Sequence, residues 1–171
     1  MGDTMDLDVV LIDGRSGSGK TQLASRIAEQ FVAMGRPPQV LHVEDLYPGW
    51  DGLAAGSAAV APALHAGGYR AYDWVAEAFG EWLPLERRPP LIIEGCGAIT
   101  RATLAAAQAW ATNARVHSVW LECAAAIRKQ RALARDGDTY APHWERWAAQ
   151  EDAQYAEHRP WDIADDIVHA G

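Results

Sequence analysis

Gly14-Arg15-Ser16-Gly17-Ser18-Gly19-Lys20-Thr21, preceded at once by the apolar run Val9-Val10-Leu11-Ile12, decides the fold of this chain. The run is short and rich in β-branched residues, so it reads as a buried strand entering a tight loop. The eight residues match the Walker A pattern. Its glycines let the backbone curl with N–H groups pointing inward and leave room for phosphate oxygens. A helix beginning near Lys20 turns its positive end toward the anion. Lys20 reaches β- and γ-phosphates, and the Thr21 hydroxyl is a magnesium ligand. Gly14, Arg15, Ser16, Gly17, Ser18, Gly19, Lys20 and Thr21 are therefore the expected nucleotide-binding residues.

Outward from this loop, strands and helices alternate. Leu23, Ile27, Phe31 and Met34 recur at helical spacing and stop at Gly35 and Pro37-Pro38. Val40–Val43 reads as a second strand, and 44–72 as an irregular stretch with a short helix near 54–64. The reading continues with a short helix over 73–82, a proline linker at Pro84, Pro89 and Pro90, and a strand over 91–93. A helix over 103–110 and a strand over 116–121 follow, then helices over 124–135 and 144–156 and a minimal strand at Ile167-Val168. Alternation of short apolar strands with helices implies α/β architecture, a parallel sheet covered on both faces. Ligands of such sheets sit at the carboxyl ends of the strands.

The 171 residues suit a single domain, 1–171, and the net charge of −8 disfavours nucleic acid or a membrane surface as a general partner. No apolar stretch reaches the length of a membrane span. The acidic start, Met1–Asp8, is unlike a signal peptide, so the expected compartment is the cytoplasm. Cys96 and Cys123 read as buried thiols, and the six His show no metal-like spacing. Lysine occurs only at 20 and 129, against 13 arginines, which makes the position of Lys20 more telling.

Two further strand ends carry carboxylates: Glu44-Asp45 after the second and Glu94-Gly95 after the third. Such ends open onto one crevice, where magnesium takes one or two carboxylates and an acceptor hydroxyl needs a carboxylate to orient its proton. Asp45 is the expected catalytic base, and Thr21, Asp45 and Glu94 the expected magnesium ligands. The glycine loop, Asp45-Leu46-Tyr47 and Ile93-Glu94-Gly95, in that order, resemble the uridine-kinase branch of the P-loop nucleoside and small-molecule kinases. Asp45 and Tyr47 stand one residue closer than in that family's Asp-x-x-Tyr segment. The resemblance spans nearly the whole chain. It implies a three-layer P-loop sandwich with about five parallel strands, a mobile helical arginine lid, and ATP with Mg2+.

Arg128, Arg131 and Arg135 lie at three- and four-residue spacing before Asp136-Gly137-Asp138, a plausible hinge, so the lid is expected roughly over 128–147. Arginine suits bidentate phosphate contact and ring stacking. With Lys20, Arg131 and Arg135 are expected to serve catalysis, Arg131 also touching the nucleotide. The segment roughly over 45–73 offers Tyr47, Arg70, Tyr72 and Asp73 for the acceptor. Tyr72-Asp73-Trp74 also loosely resembles an acceptor-pocket segment of that family. Trp144, Trp147 and Trp161 read as packing residues. The function these expectations describe is ATP-dependent phosphotransfer to a hydroxyl of a small molecule such as a nucleoside. The competing reading is a P-loop ATPase or nucleotide-binding regulator acting through a protein partner. Against it, the chain has no Asn-Lys-x-Asp segment and no Leu-Ser-Gly-Gly-Gln signature.

Overall fold

The computed structural model describes residues 6–170, so most of the acidic start, residues 1–5, lies outside it. Along the chain come β1 (Val9–Gly14), α1 (Lys20–Ala33), β2 (Gln39–His42), α2 (Leu53–Ala66), β3 (Gly68–Asp73) and β4 (Ala78–Pro84). Then follow β5 (Leu91–Glu94), α3 (Arg101–Trp110), β6 (Val116–Cys123), α4 (Ala125–Asp136), α5 (Trp144–His158), α6 (Pro160–Ile163) and β7 (Asp166–Ala170). Five of the strands form one sheet in the order β2-β5-β1-β6-β7. Every pairing in it is parallel, with Val9 opposite both Leu91 and Val116.

Side chains alternate across a strand, so β1 feeds two cores. Val10 and Ile12 join Ile92, Val119 and Leu121 under Ala24, Ile27 and Phe31 of α1. Val9 and Leu11 join Leu41, Leu91 and Ile93 on the other face, beneath Val60 and Leu64 of α2, Trp110 of α3 and Trp147 of α5. The sheet is thus sandwiched between helical layers, which is why its strands read as continuous apolar runs rather than alternating ones. All six β1 positions are buried. The carboxyl ends of β1, β2 and β5 come together, with Ile12 and His42 both opposite Glu94.

Two expectations fail between the second and third sheet strands. The stretch 44–72 is not mainly irregular: Val43–Leu46 forms a 3-10 turn and α2 runs for fourteen residues. The short helix expected over 73–82 is instead the turn and second strand of an antiparallel β3–β4 hairpin that carries on through Pro84. Asp73 Oδ1 accepts from the backbone N–H groups of Val75 and Ala76, a side-chain turn that competes with helix, and Glu77 then takes a left-handed φ of 54°. Tyr72 and Phe79 pack across the strands at 5.3 Å.

Candidate functional site

The loop from Gly14 to Gly19 leaves β1 and delivers Lys20 as the first residue of α1. It is seated on α4. Gly17 has φ +81°, and a Cβ there would stand 2.1 Å from the carbonyl oxygen of Arg128. No side chain fits, so the glycine is required by close backbone approach as well as by conformation. At the end of β5, Gly95 has φ +144°, and a Cβ would meet Val43 at 2.8 Å. Lys20 is nearly buried, and its Nζ donates to the Arg15 carbonyl at 3.0 Å.

A crevice of about 570 Å3 opens from this loop. Ser16, Gly17, Lys20 and Thr21 line one end, Glu44, Glu94 and Gly95 the strand ends, and Arg135, Asp136, Thr139 and Tyr140 the α4 side. The remaining wall is aromatic: Tyr47, Trp50, Trp74 and Trp147, with Cys96 beside them. Trp50 is the hub, 5.2 Å from Trp74, 5.3 Å from Tyr140 and 6.4 Å from Trp147, with its face stacked on His143 at 4.3 Å. Trp144 and Trp147 do pack into the core, as expected, but Trp147 also faces the crevice.

The expected residues divide. Lys20, Thr21, Glu94, Tyr47 and Arg135 line the crevice. Asp45 does not, whereas its neighbour Glu44 does. A 3-10 turn rotates successive side chains by about 120°, so two adjacent carboxylates on one point apart. Glu44 stands three residues before Tyr47. Loss of water around it raises its carboxyl pKa, with Arg135 opposing and Asp45, Glu94 and Asp136 reinforcing. Burial likewise raises Asp45. Glu94 Oε1 lies 2.5 Å from His42 Nδ1, and this bond raises the His42 pKa.

Arg128 is buried, and its Nε donates to the Cys123 carbonyl at 3.0 Å. Arg131 is exposed, with Nη1 at 3.9 Å from Cys123 Sγ and the same distance from where a Gly19 Cβ would be. Arg135 pairs with Asp136 at 2.8 Å. Arg15 turns away to Asp152 at 2.7 Å, so only its backbone belongs to the loop's concave side. Arg70 and Asp73 are outside the crevice: Arg70 donates to the Gly80 carbonyl within the hairpin, and Asp73 is held by its own turn. Tyr72 lines a neighbouring hollow with Trp50, Trp74, Glu77 and the Asp51–Arg146 pair. The Tyr47 hydroxyl is already spent on the Cys96 carbonyl at 2.6 Å.

Sequence reasoning missed a buried acidic network beneath the loop. Asp13, completely buried, accepts from Gly14 N–H, Gly97 N–H, Ile99 N–H and the Tyr155 hydroxyl. Glu151 of α5 accepts from Ser16 N–H at 2.6 Å, and Tyr140 donates to Ser16 Oγ at 2.9 Å. Both carboxyls are raised by burial, and the Lys20 charge opposes that rise at both. The one available signal was Asp13 itself, a carboxylate at the end of an otherwise apolar strand. Cys96 and Cys123 are buried free thiols, and burial pushes Cys96 up to about 12, which leaves it inert as a nucleophile.

Among the described residues, no group of three or more His, Cys, Asp and Glu is arranged to hold a metal by itself. Magnesium held through phosphates needs only one or two protein oxygens, and Thr21 and Glu94 share the crevice with Lys20, so the residues fit that ion. Among the described residues, no helix is long and apolar enough to cross a membrane.

No protein-family model matches the chain, and no curated protein does. Solved structures do. A protein from Bacillus stearothermophilus described as a possible uridine kinase superposes with a TM-score of 0.60 at 20% identity, over 98% of this chain and 91% of that one. A gluconokinase from Sinorhizobium meliloti gives 0.53 at 17% identity, over 96% and 82%. A shikimate kinase from Bacteroides thetaiotaomicron gives 0.53 at 16%, over 95% and 86%. With the parallel sheet, the glycine loop and the helix it feeds, these likenesses show that the chain has the α/β fold of the P-loop kinases.

Proposed function

We propose that this chain is an ATP- and Mg2+-dependent phosphotransferase acting on a hydroxyl of a small molecule. The observation that carries this reading is the single crevice in which a phosphate-binding loop, two strand-end carboxylates and an aromatic wall meet. A nucleotide-hydrolysing switch has no use for a second, ring-lined compartment beside the terminal phosphate. A kinase needs one, because phosphoryl transfer proceeds mainly by positioning and charge neutralisation.

In this reading the loop's N–H groups and the start of α1 hold the triphosphate, and the Lys20 ammonium moves onto its outer phosphates. Thr21 and Glu94 hold magnesium, whose chemistry when bound is neutralisation of charge on the transferring phosphoryl group. Glu44 accepts the acceptor's hydroxyl proton, a role first assigned to Asp45. Its raised pKa brings it closer to the range suited to a general base at neutral pH. Arg135 would leave Asp136, and Arg131, outside the crevice lining, would swing inward, to meet the phosphates once they are bound. Of the lid expected over 128–147, the turn 137–143 is the part that moves, pivoting at Gly137, where a Cβ would meet nothing within 4 Å, while Arg128, Trp144 and Trp147 stay buried at its two ends. The test is ADP formation from Mg–ATP, with and without a panel of hydroxyl-bearing metabolites. ADP is expected only with an acceptor. Equal ATP hydrolysis in its absence would overturn the kinase reading.

A further inference from the structure

We infer that the phosphate acceptor is a hydroxyl-bearing organic cation with a flat or quaternary head group, an inference that rests on the kinase reading. The argument is a charge inventory of the crevice and the adjoining hollow. Among the described residues, three cations border the two spaces besides the imidazole of His143: Lys20, Arg135 and Arg146. Lys20 belongs to the phosphate loop. Arg135 gives both its Nε and Nη2 to Asp136, at 3.1 and 2.8 Å. Arg146 grips Asp51 with Nε at 2.6 Å and with Nη2. Glu44 and Glu77 remain with no ion-pair partner among the described residues, and Glu94 is met only by His42. An acceptor carrying a carboxylate or phosphate would meet no free guanidinium or ammonium there, and would also have to approach the γ-phosphate.

The walls narrow the class further. Trp50 and Trp74 border both spaces, and Tyr47, Tyr140 and Trp147 complete the aromatic lining. The hydroxyls of Tyr47 and Tyr140 are committed to Cys96 O and Ser16 Oγ, so these two rings offer the crevice their faces rather than a hydrogen-bonding group. Electron-rich ring faces beside unmatched carboxylates attract a weakly hydrated cation, as in aromatic cages for ammonium groups. Such a cation is also drawn to the nucleotide's own negative charge.

Isothermal titration calorimetry with three probes of matched shape tests this: N-(2-hydroxyethyl)pyridinium, the near-isosteric neutral 2-phenylethanol, and 4-(hydroxymethyl)benzoate. The pyridinium is expected to bind about tenfold or more tightly than the neutral probe, and the benzoate more weakly than either. Glu44→Gln should shrink the cation preference to less than about threefold, the pyridinium losing more affinity than the neutral probe, and Trp74→Leu should weaken the pyridinium. Binding of the benzoate as tight as the cation, equal binding of cation and neutral, or no pyridinium binding at millimolar concentration would each overturn the inference. Mg–ATP titrated into the same protein separates the two readings. ATP binding without cation preference sinks the acceptor class alone, and absence of ATP binding sinks the kinase reading.

Discussion

Replacing Asp13 by asparagine probes the buried network under the phosphate loop through its pH dependence. Asp13 Oδ1 accepts from Gly14 N–H at 2.7 Å, Gly97 N–H at 3.1 Å and the Tyr155 hydroxyl at 2.8 Å, and Oδ2 accepts from Ile99 N–H at 3.0 Å. These donors and the Lys20 charge favour the carboxylate, but complete burial disfavours it more, and the pKa rises from 3.8 to about 6. The folded state therefore holds this proton more tightly than the unfolded one. The stabilisation is fully present below the unfolded pKa and is lost as pH rises through about 6. A shift of this size corresponds to about 3 kcal/mol, a sizeable part of the roughly 5–15 kcal/mol typical of a domain. Asparagine cannot titrate. Its oxygen can keep the three donors of Oδ1, but its NH2 then opposes Ile99 N–H, which costs about 1–3 kcal/mol. In urea unfolding followed by tryptophan fluorescence, the wild-type advantage over Asp13→Asn should shrink by about 2 kcal/mol between pH 4 and pH 7. Glu44, Asp45 and Glu151, also raised by burial, are common to both proteins and drop out of the difference. A wild-type-minus-variant difference that stays constant across this range would refute the reasoning.

Lys20→Ala should leave the fold intact by circular dichroism and weaken Mg–ATP binding about tenfold or more, and unchanged affinity would remove Lys20 from the phosphate site. Glu44→Gln should lower turnover by roughly 10²-fold or more with ATP affinity retained, and Asp45→Asn by much less; the reverse order would return the base to Asp45. Gly17→Ala should cost about 1–3 kcal/mol in chemical denaturation, because its Cβ would stand 2.1 Å from the Arg128 carbonyl, and wild-type stability would show that α4 yields freely. Amide exchange over 137–142 should slow when Mg–ATP and an acceptor bind together, whereas identical exchange in free and bound protein would argue against a lid that pivots at Gly137.

The phosphate loop was legible because its chemistry is local: strand, glycine turn, lysine and helix start all fall within thirteen consecutive residues. The middle of the sheet was legible because β1 and β5 are buried at every position and β6 nearly so, which makes them continuous apolar runs, whereas the edge strands β2 and β7 are partly exposed. The β3–β4 hairpin was not, since its large apolar side chains remain partly open to solvent and its decisive interaction is a side-chain turn at Asp73. The reach of Glu44 past Asp45 depends on a single 3-10 turn, which no residue in 43–46 announces. Glu151 was beyond sequence reasoning for a different reason. It meets the loop across 135 residues of chain, and a glutamate on an amphipathic helix looks the same whether it faces water or a buried amide.

That long-range contact belongs to a larger arrangement, in which α5 holds both ends of the crevice. On one side of the helix, Arg146 and Gln150, one turn apart, grip the segment after β2. Arg146 pairs with Asp51, and Gln150 bonds both the Trp50 carbonyl and Leu53 N–H. One turn further along, Glu151, Asp152 and Tyr155 grip Ser16, Arg15 and Asp13. Trp147 lies between the two sets and forms part of the crevice wall, 4.8 Å from Tyr47. Residues three and four apart share a helix face, so the spacing 146, 150 and 147, 151, 155 turns one rigid rod into a template for two loops that are far apart in sequence. The glycine loop and the segment that carries Trp50 are therefore held in register by the same element. In the kinase we propose, a helix so placed would fix the distance between phosphoryl donor and acceptor while meeting the crevice only through Trp147, which is the positioning that phosphoryl transfer asks of a protein.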